Sequence, residues 1–145
     1  MSESRKSLHW QHFENNTATV FENYFKIPTM AHNFPIKIGR KTKKAHKFDW
    51  VSQDGKTCAI ECKSISWSRT GKIPSTKISG INESVFFLSL LDGEFDNRCL
   101  AIKKSVCDSC DETLAEYYFR NYGHLLDGIR LFEIDPYEMT MRELT

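Results

Sequence analysis

Apolar residues recur at helical spacing near the start of the chain: Leu8, Trp10, Phe13, Val20, Phe21, Tyr24 and Phe25. The spacing predicts one or two helices over 7–27, with Asn15-Asn16 as a break or cap and Pro28 as the stop. Phe34–Ile38 then reads as a short strand closed by Gly39 and a lysine-rich turn. A second strand is expected over His46–Ser52 and a third over Thr57–Lys63. Gln53-Asp54-Gly55-Lys56 between them reads as a hairpin turn, because Asp-Gly readily takes the positive φ that such turns require. The stretch 64–80 is rich in Ser, Thr, Gly and Lys, holds Pro74, and reads as a long loop. Asn82–Leu91 is apolar around most of a helical circumference, so a well-buried helix is expected there, with Gly93 at its end. Arg98–Lys104 reads as a fourth strand. Ser109-Cys110-Asp111-Glu112 has the form of a capping box opening a helix to Tyr122, stopped by Gly123. Gly128–Asp135 reads as a last strand, and the tail from Pro136 as a short helix or frayed end.

The order is helix, three strands, helix, strand, helix, strand. It predicts an α/β fold, a mixed central sheet flanked by helices, in a single domain over 1–145. The 145 residues, 40% hydrophobic and 27% charged, suit one globular unit and exclude wholesale disorder. No apolar run approaches the 18 or so residues of a membrane span, so no membrane partner is expected. The N-terminus lacks a secretory apolar stretch, and five cysteines form no regular framework. Reduced thiols and a cytoplasmic location are the expectation.

The net charge of +1 conceals an uneven distribution. Residues 36–82 hold eleven bases and only three acids, Asp49, Asp54 and Glu61, whereas residues 83–145 hold six bases and thirteen acids. A basic segment beside an acidic one suggests a surface that faces a polyanion. A solvated basic loop is the alternative.

Two of those three acids fall on adjacent predicted strands. Strand alternation puts Thr57, Ala59, Glu61 and Lys63 on one face and Cys58, Ile60 and Cys62 on the other, apolar face. Phe48 and Trp50 flank Asp49 and are expected to point away from it. A plausible register sets Asp49 near Glu61. Two carboxylates that close repel unless one is protonated or a cation lies between them. Oxygen ligands suit Mg²⁺ (or Mn²⁺), and a neighbouring lysine can orient or deprotonate a metal-bound water. Otherwise Glu61 and Lys63 are a surface pair and Asp49 a solvent-facing strand residue.

Asp49, eleven intervening residues and then Glu61-Cys62-Lys63 resemble the motif of the PD-(D/E)XK nucleases. The likeness runs from about Phe21 to Lys104, and Ala59-Ile60-Glu61-Cys62-Lys63-Ser64 is similar to the motif strand of small nucleases such as Holliday junction resolvases. Phe48 stands where the family name has proline, and no glycine precedes Glu22. The resemblance implies the restriction-endonuclease-like fold and Mg²⁺-dependent hydrolysis of phosphodiester bonds, most readily in DNA, leaving a 5′-phosphate. It implies Asp49 and Glu61 as metal ligands, the backbone carbonyl of Cys62 as another, and Lys63 as the water-activating residue. Members often add a glutamate from the first helix. Phe21-Glu22 matches that pattern and is preferred here, with Glu14 of Phe13-Glu14 as the rival. Cleavage of both strands would call for a homodimer. A catalytically inactive nucleic-acid-binding or protein-interaction module of the same fold is the alternative.

Lys43, Lys44, Lys47, Arg69, Lys72 and Lys77 are candidate nucleic-acid contacts, and Trp67 could stack on a base or pack beneath its loop. Asn82 is expected to cap a helix. Cys107-x-x-Cys110 could be half of a zinc site with His124 or Cys99, though one such pair is a weak signal. His46 adjoins the motif strand and could reach DNA or lie on the surface. No Walker loop, GxGxxG or GxSxG occurs, which disfavours nucleotide-binding and serine-hydrolase chemistry.

Overall fold

The computed structural model describes residues 3–145 other than Arg69, Pro74 and Asp92, with the side chains of 3–10 left aside. Its elements are α1 (Glu3–Phe25), β1 (Ala31–Ile38), β2 (Lys44–Val51), β3 (Cys58–Lys63), α2 (Ser75–Ser89), β4 (Asn97–Lys103), α3 (Leu114–Tyr122), β5 (Ile129–Asp135) and β6 (Thr140–Leu144). The strands form one six-stranded sheet in chain order. β1–β2, β2–β3 and β5–β6 are antiparallel, while β3–β4 and β4–β5 are parallel. The mixed α/β sheet expected from the element order is therefore present. Its two parallel pairs need the crossovers that α2 and α3 provide.

Each side of the sheet has its own core. Ala59, Leu100 and Leu131 pack under Ile78, Ile81, Val85 and Leu88 of α2 and Leu114 and Tyr118 of α3. Cys58, Ile60, Cys62, Ala101 and Phe132 pack under Phe13, Val20 and Phe21 of α1. Both flanks of β3 are thus covered, and five of its six residues are buried. That burial explains why the strand reads Cys-Ala-Ile rather than as an alternating polar ribbon.

Several boundaries differ from expectation. α1 runs unbroken through Asn15-Asn16, because Asn16 Nδ2 donates to the Pro136 carbonyl (2.8 Å) instead of capping. α2 begins at Ser75, not Asn82. The Ser, Thr, Gly and Lys of 75–80 form mostly the wet side of its first turns, while Ile78 and Ile81 carry the buried stripe. Asn82 lies inside that helix and accepts from the Tyr118 hydroxyl at 2.8 Å, so it is no N-cap. The capping box of α3 is Thr113 with Glu116, not Ser109 with Glu112. The tail forms an edge strand, β6.

Cys107 and Cys110 are joined in a disulfide, so not all five thiols are reduced, and the suggested zinc half-site is not formed. The turn bond from Cys110 N to the Cys107 carbonyl brings the two residues together. Cys99 is buried in the core beneath α1. Among the described residues no helix is long and apolar enough to cross a membrane.

Asp54, the third acid of the basic segment, closes the β2–β3 turn. Its carboxylate accepts from Lys56 N, Thr57 N and the Ser52 and Thr57 hydroxyls. Those bonds hold its pKa well below the usual carboxylate range. Gly55 takes φ +66 at the tip, the conformation the Asp-Gly signal anticipates.

Candidate metal centre

Phe48 packs in the core beneath α2 and α3, whereas Trp50, two residues later, packs on the α1 side. An unbroken strand would put both on one face. The two rings flanking Asp49 thus lie on opposite sides of the sheet. β2 turns over at Asp49. The facing residue of β1, Asn33, sits at φ +52, and its pair with Asp49 is missing from an otherwise continuous ladder.

The seam between β2 and β3 opens at the same point. Pairing holds at Val51–Ala59 and Trp50–Ile60, and one step further would set Asp49 opposite Glu61. Ser52 N donates to the Cys58 carbonyl at 3.0 Å, so regular alternation would send Cys62 N to the Phe48 carbonyl. Instead Cys62 N donates to Asp49 Oδ2 at 2.7 Å. The carboxylate of Asp49 thus occupies the gap between two diverging strands and faces both sides of the sheet.

Two glutamates meet it there, one from each side. Glu14 of α1 is fully buried, and Glu61 of β3 is 5% exposed. Burial, the charge of Asp49 and a hydrogen bond with Asp49 push the Glu14 carboxyl up to about 8. Burial and then Asp49 push Glu61 up to about 9, opposed by Lys63 and by a hydrogen bond from Ser84. Each glutamate also touches a histidine. His32 Nε2 lies 3.2 Å from Glu14 Oε2, its ring stacked on Trp50; His46 Nε2 lies 2.9 Å from Glu61 Oε1, its ring stacked on Phe87. Burial lowers the pKa of His46.

The donor set fits a divalent cation. Glu14 Oε1 is buried with no hydrogen-bond partner, which is costly for a carboxylate oxygen. Carboxylate oxygens of Glu14 and Asp49 lie within 4.8 Å of each other and of Cys62 Sγ. A cation among these acids would supply the missing partner and offset their repulsion.

Of the two first-helix glutamates weighed above, it is Glu14, not Glu22, whose carboxyl meets Asp49. Glu22 Oε2 accepts from Met30 N at 2.8 Å, and the Glu22 charge is felt by the Cys58 thiol, at the opening end of β3. Asp49 and Glu61 lie near its closing end. Glu14 is eight residues, a little over two turns, earlier on the helix. Glu14→Gln is expected to weaken Mn²⁺ binding tenfold or more, and Glu22→Gln to leave it within twofold, as read by isothermal titration calorimetry.

Lys63 ends β3 half-buried, and its charge acts on Glu61, Cys62 and His46. Lys43, Lys44, Lys47, Lys72 and Lys77 are exposed. A groove of about 430 Å³ lined by Lys44, His46, Phe87 and Leu90 borders the Glu61 side. Lys103, at the end of β4, is half-buried and lies near enough to Lys77 for the two charges to interact. Arg69 lies outside the described residues. Trp67 is half-buried, edge-on to Tyr117 with ring centres 5.4 Å apart, so it packs its loop against α3.

Sequence reasoning missed Ser84, which lay inside the helix expected over Asn82–Leu91 but carried no signal of its partner Glu61, and the roles of His32 and His46. The signal for His46 was its place two residues before Phe48 on one strand face. Comparison with protein-family models, with curated proteins and with solved structures finds no match for this chain.

Proposed function

We propose that the protein is a divalent-metal-dependent nuclease of the PD-(D/E)XK kind, with a restriction-endonuclease-like core, that hydrolyses phosphodiester bonds in DNA. The observation that carries this reading is the Asp49 carboxylate seated in the opened β2–β3 seam. Glu61 and Glu14 flank it, and Lys63 lies two residues beyond Glu61 on the same strand. The element order α1-β1-β2-β3-α2-β4 and a β2–β3 register that, continued one step, would set Asp49 opposite Glu61 support the same assignment.

Asp49, Glu61, Glu14 and the Cys62 carbonyl would hold Mg²⁺ or Mn²⁺. The bound cation supplies Lewis-acid polarisation of the phosphate and a lowered pKa for water. The chain's own residues do the rest. Lys63, on a rigid strand, holds the attacking water in line and places a positive charge beside the phosphate oxygens as negative charge develops there. Ser84 and His46 fix the Glu61 carboxyl, and the Cys62 N–H fixes Asp49. The exposed lysines of 43–47, 72 and 77 neutralise the backbone of the substrate. One such site cuts one strand, so double-strand cleavage requires two copies.

The test is cleavage of supercoiled plasmid in Mg²⁺ or Mn²⁺. Wild type is expected to nick or linearise it, and Lys63→Ala to lower the rate by about 10²–10³-fold with metal binding retained. DNA binding without cleavage by the wild type in either ion would contradict the proposal.

A further inference from the structure

The Cys62 side chain has no role in the chemistry above, which uses only its carbonyl. Strand alternation sends that side chain to the α1 side of the sheet, away from Glu61 and toward Glu14. Its Sγ, a Glu14 carboxylate oxygen and an Asp49 carboxylate oxygen all lie within 4.8 Å of one another. Cys62 is 4% exposed and Glu14 fully buried, so the three donors converge in a dry place. The Glu14 carboxyl also carries an oxygen, Oε1, that is buried with no hydrogen-bond donor on it. Asp49 therefore stands between two unlike donor sets. Toward α2 it faces Glu61, with Ser84 and His46 behind it. Toward α1 it faces a carboxylate and a sulfur.

We propose that Glu14, Asp49 and the Cys62 thiolate form a second subsite, on the α1 side of Asp49, that takes a thiophilic divalent ion of the zinc class.

Two carboxylates and one thiolate form a three-ligand set of the kind zinc accepts, leaving a fourth position for water. Metal–oxygen bonds of about 2.1 Å and metal–sulfur bonds of about 2.3 Å put ligand atoms about 3.5 Å apart at tetrahedral angles. The donors need close by at most about 1.3 Å, within reach of side-chain rotation at Glu14. Binding expels the thiol proton to solvent, as metal ligation by cysteine requires, so affinity rises with pH. Soft sulfur separates this subsite from the Mg²⁺ position, because Mg²⁺ does not favour thiolate. Glu14 is then shared between roles, as one of the Mg²⁺ ligands or as one of the three donors of the sulfur-bearing set. Since Asp49 belongs to both subsites, zinc-class ions are expected to change the Mg²⁺ concentration needed for half-maximal activity. The inference borrows the Asp49–Glu14 pairing of the nuclease reading but does not need the protein to cut DNA.

The test uses the full chain with Cys107 and Cys110 changed to serine, which removes the other reactive pair. Cd²⁺ is titrated in, and the ultraviolet thiolate-to-metal charge-transfer band is followed. One equivalent of Cd²⁺ is expected to raise the band. Cys62→Ser is expected to abolish it and weaken Cd²⁺ binding at least tenfold, and Glu14→Gln to weaken it with the band retained. Cys58→Ser and Cys99→Ser, at buried cysteines on the same side, are expected to leave band and affinity unchanged. Circular dichroism on each variant confirms that the fold is kept. No band in the parent protein, or a band that survives Cys62→Ser in a folded variant, overturns the subsite. Plasmid cleavage in Mg²⁺ by the same parent is scored separately. A Cd²⁺ band without cleavage removes the nuclease reading and keeps the subsite; cleavage without a band does the reverse.

Discussion

Asp49→Asn is expected to abolish Mg²⁺-dependent cleavage, lowering the rate by at least about 10³-fold, a loss as large as that from removing a principal transition-state stabiliser. The effect exceeds that of any other single change because Asp49 serves every part of the site at once. It bonds to Cys62 N, it faces Glu61 on one side of the sheet, and it faces Glu14 on the other. The asparagine oxygen can still accept from Cys62 N, so the opened β2–β3 seam is expected to survive. Metal-free thermal stability should therefore not fall. It should rise, because Asp49 is the charge that both buried glutamates resist. Loss of cleavage together with a raised melting temperature is the paired outcome, read by plasmid assay and by calorimetry without metal. A folded Asp49→Asn protein that retains a tenth or more of wild-type activity would contradict the role given to this residue.

The second large effect is on the pH dependence of stability. Glu14 and Glu61 have folded-state pKa values raised to about 8 and about 9, above the ordinary 4.5. The folded protein then binds more protons than the unfolded chain between pH 4.5 and about 9. By linkage, stability falls as pH rises through that window. The favourable contribution is complete below pH 4.5 and is lost as pH passes the folded values. Without divalent ions the melting temperature is therefore expected to decline from pH 5 to pH 9. With millimolar Mg²⁺ or Mn²⁺ the decline should flatten or reverse, because the ion binds the deprotonated carboxylates of the folded state. Glu61→Gln should be stabilising by about 1–2 kcal/mol at pH 8 without metal, since glutamine is neutral without the proton that a carboxyl held at about 9 must take up when it is buried, and should lose the metal-induced gain. Equal slopes with and without metal would contradict a cation site at these acids.

Much of this arrangement was legible in the residues. Asp-Gly at 54–55 announced the hairpin, and once the hairpin is placed, strand alternation carries Asp49 to Glu61. The apolar flanks of β3 announced a strand covered on both sides. What could not be read was where regularity fails. The reversal of β2 at Asp49 depends on a positive φ at Asn33 across the ladder, and nothing local to Phe48-Asp49-Trp50 encodes it. For the same reason the choice between Glu14 and Glu22 was not available from the helix alone. Both lie on α1, and only the lengthwise placement of that helix over β3 decides which one meets the open seam. The early start of α2 was hidden because its first turns turn polar residues to solvent, and composition alone reads such a segment as loop. Ser84 fell inside the expected helix, but it is a polar residue in an apolar stripe whose partner, Glu61, lies on a different element.

The central claim is that the open β2–β3 seam gathers three acids around one divalent ion. The measurement that bears on it most directly is anomalous diffraction from a crystal soaked in Mn²⁺, collected near the manganese edge. The account predicts a peak within bonding distance of carboxylate oxygens of Asp49 and Glu61, with Glu14 turned toward it and Glu22 still on Met30 N. A saturated crystal with no peak there, or with manganese held by other side chains, would contradict it.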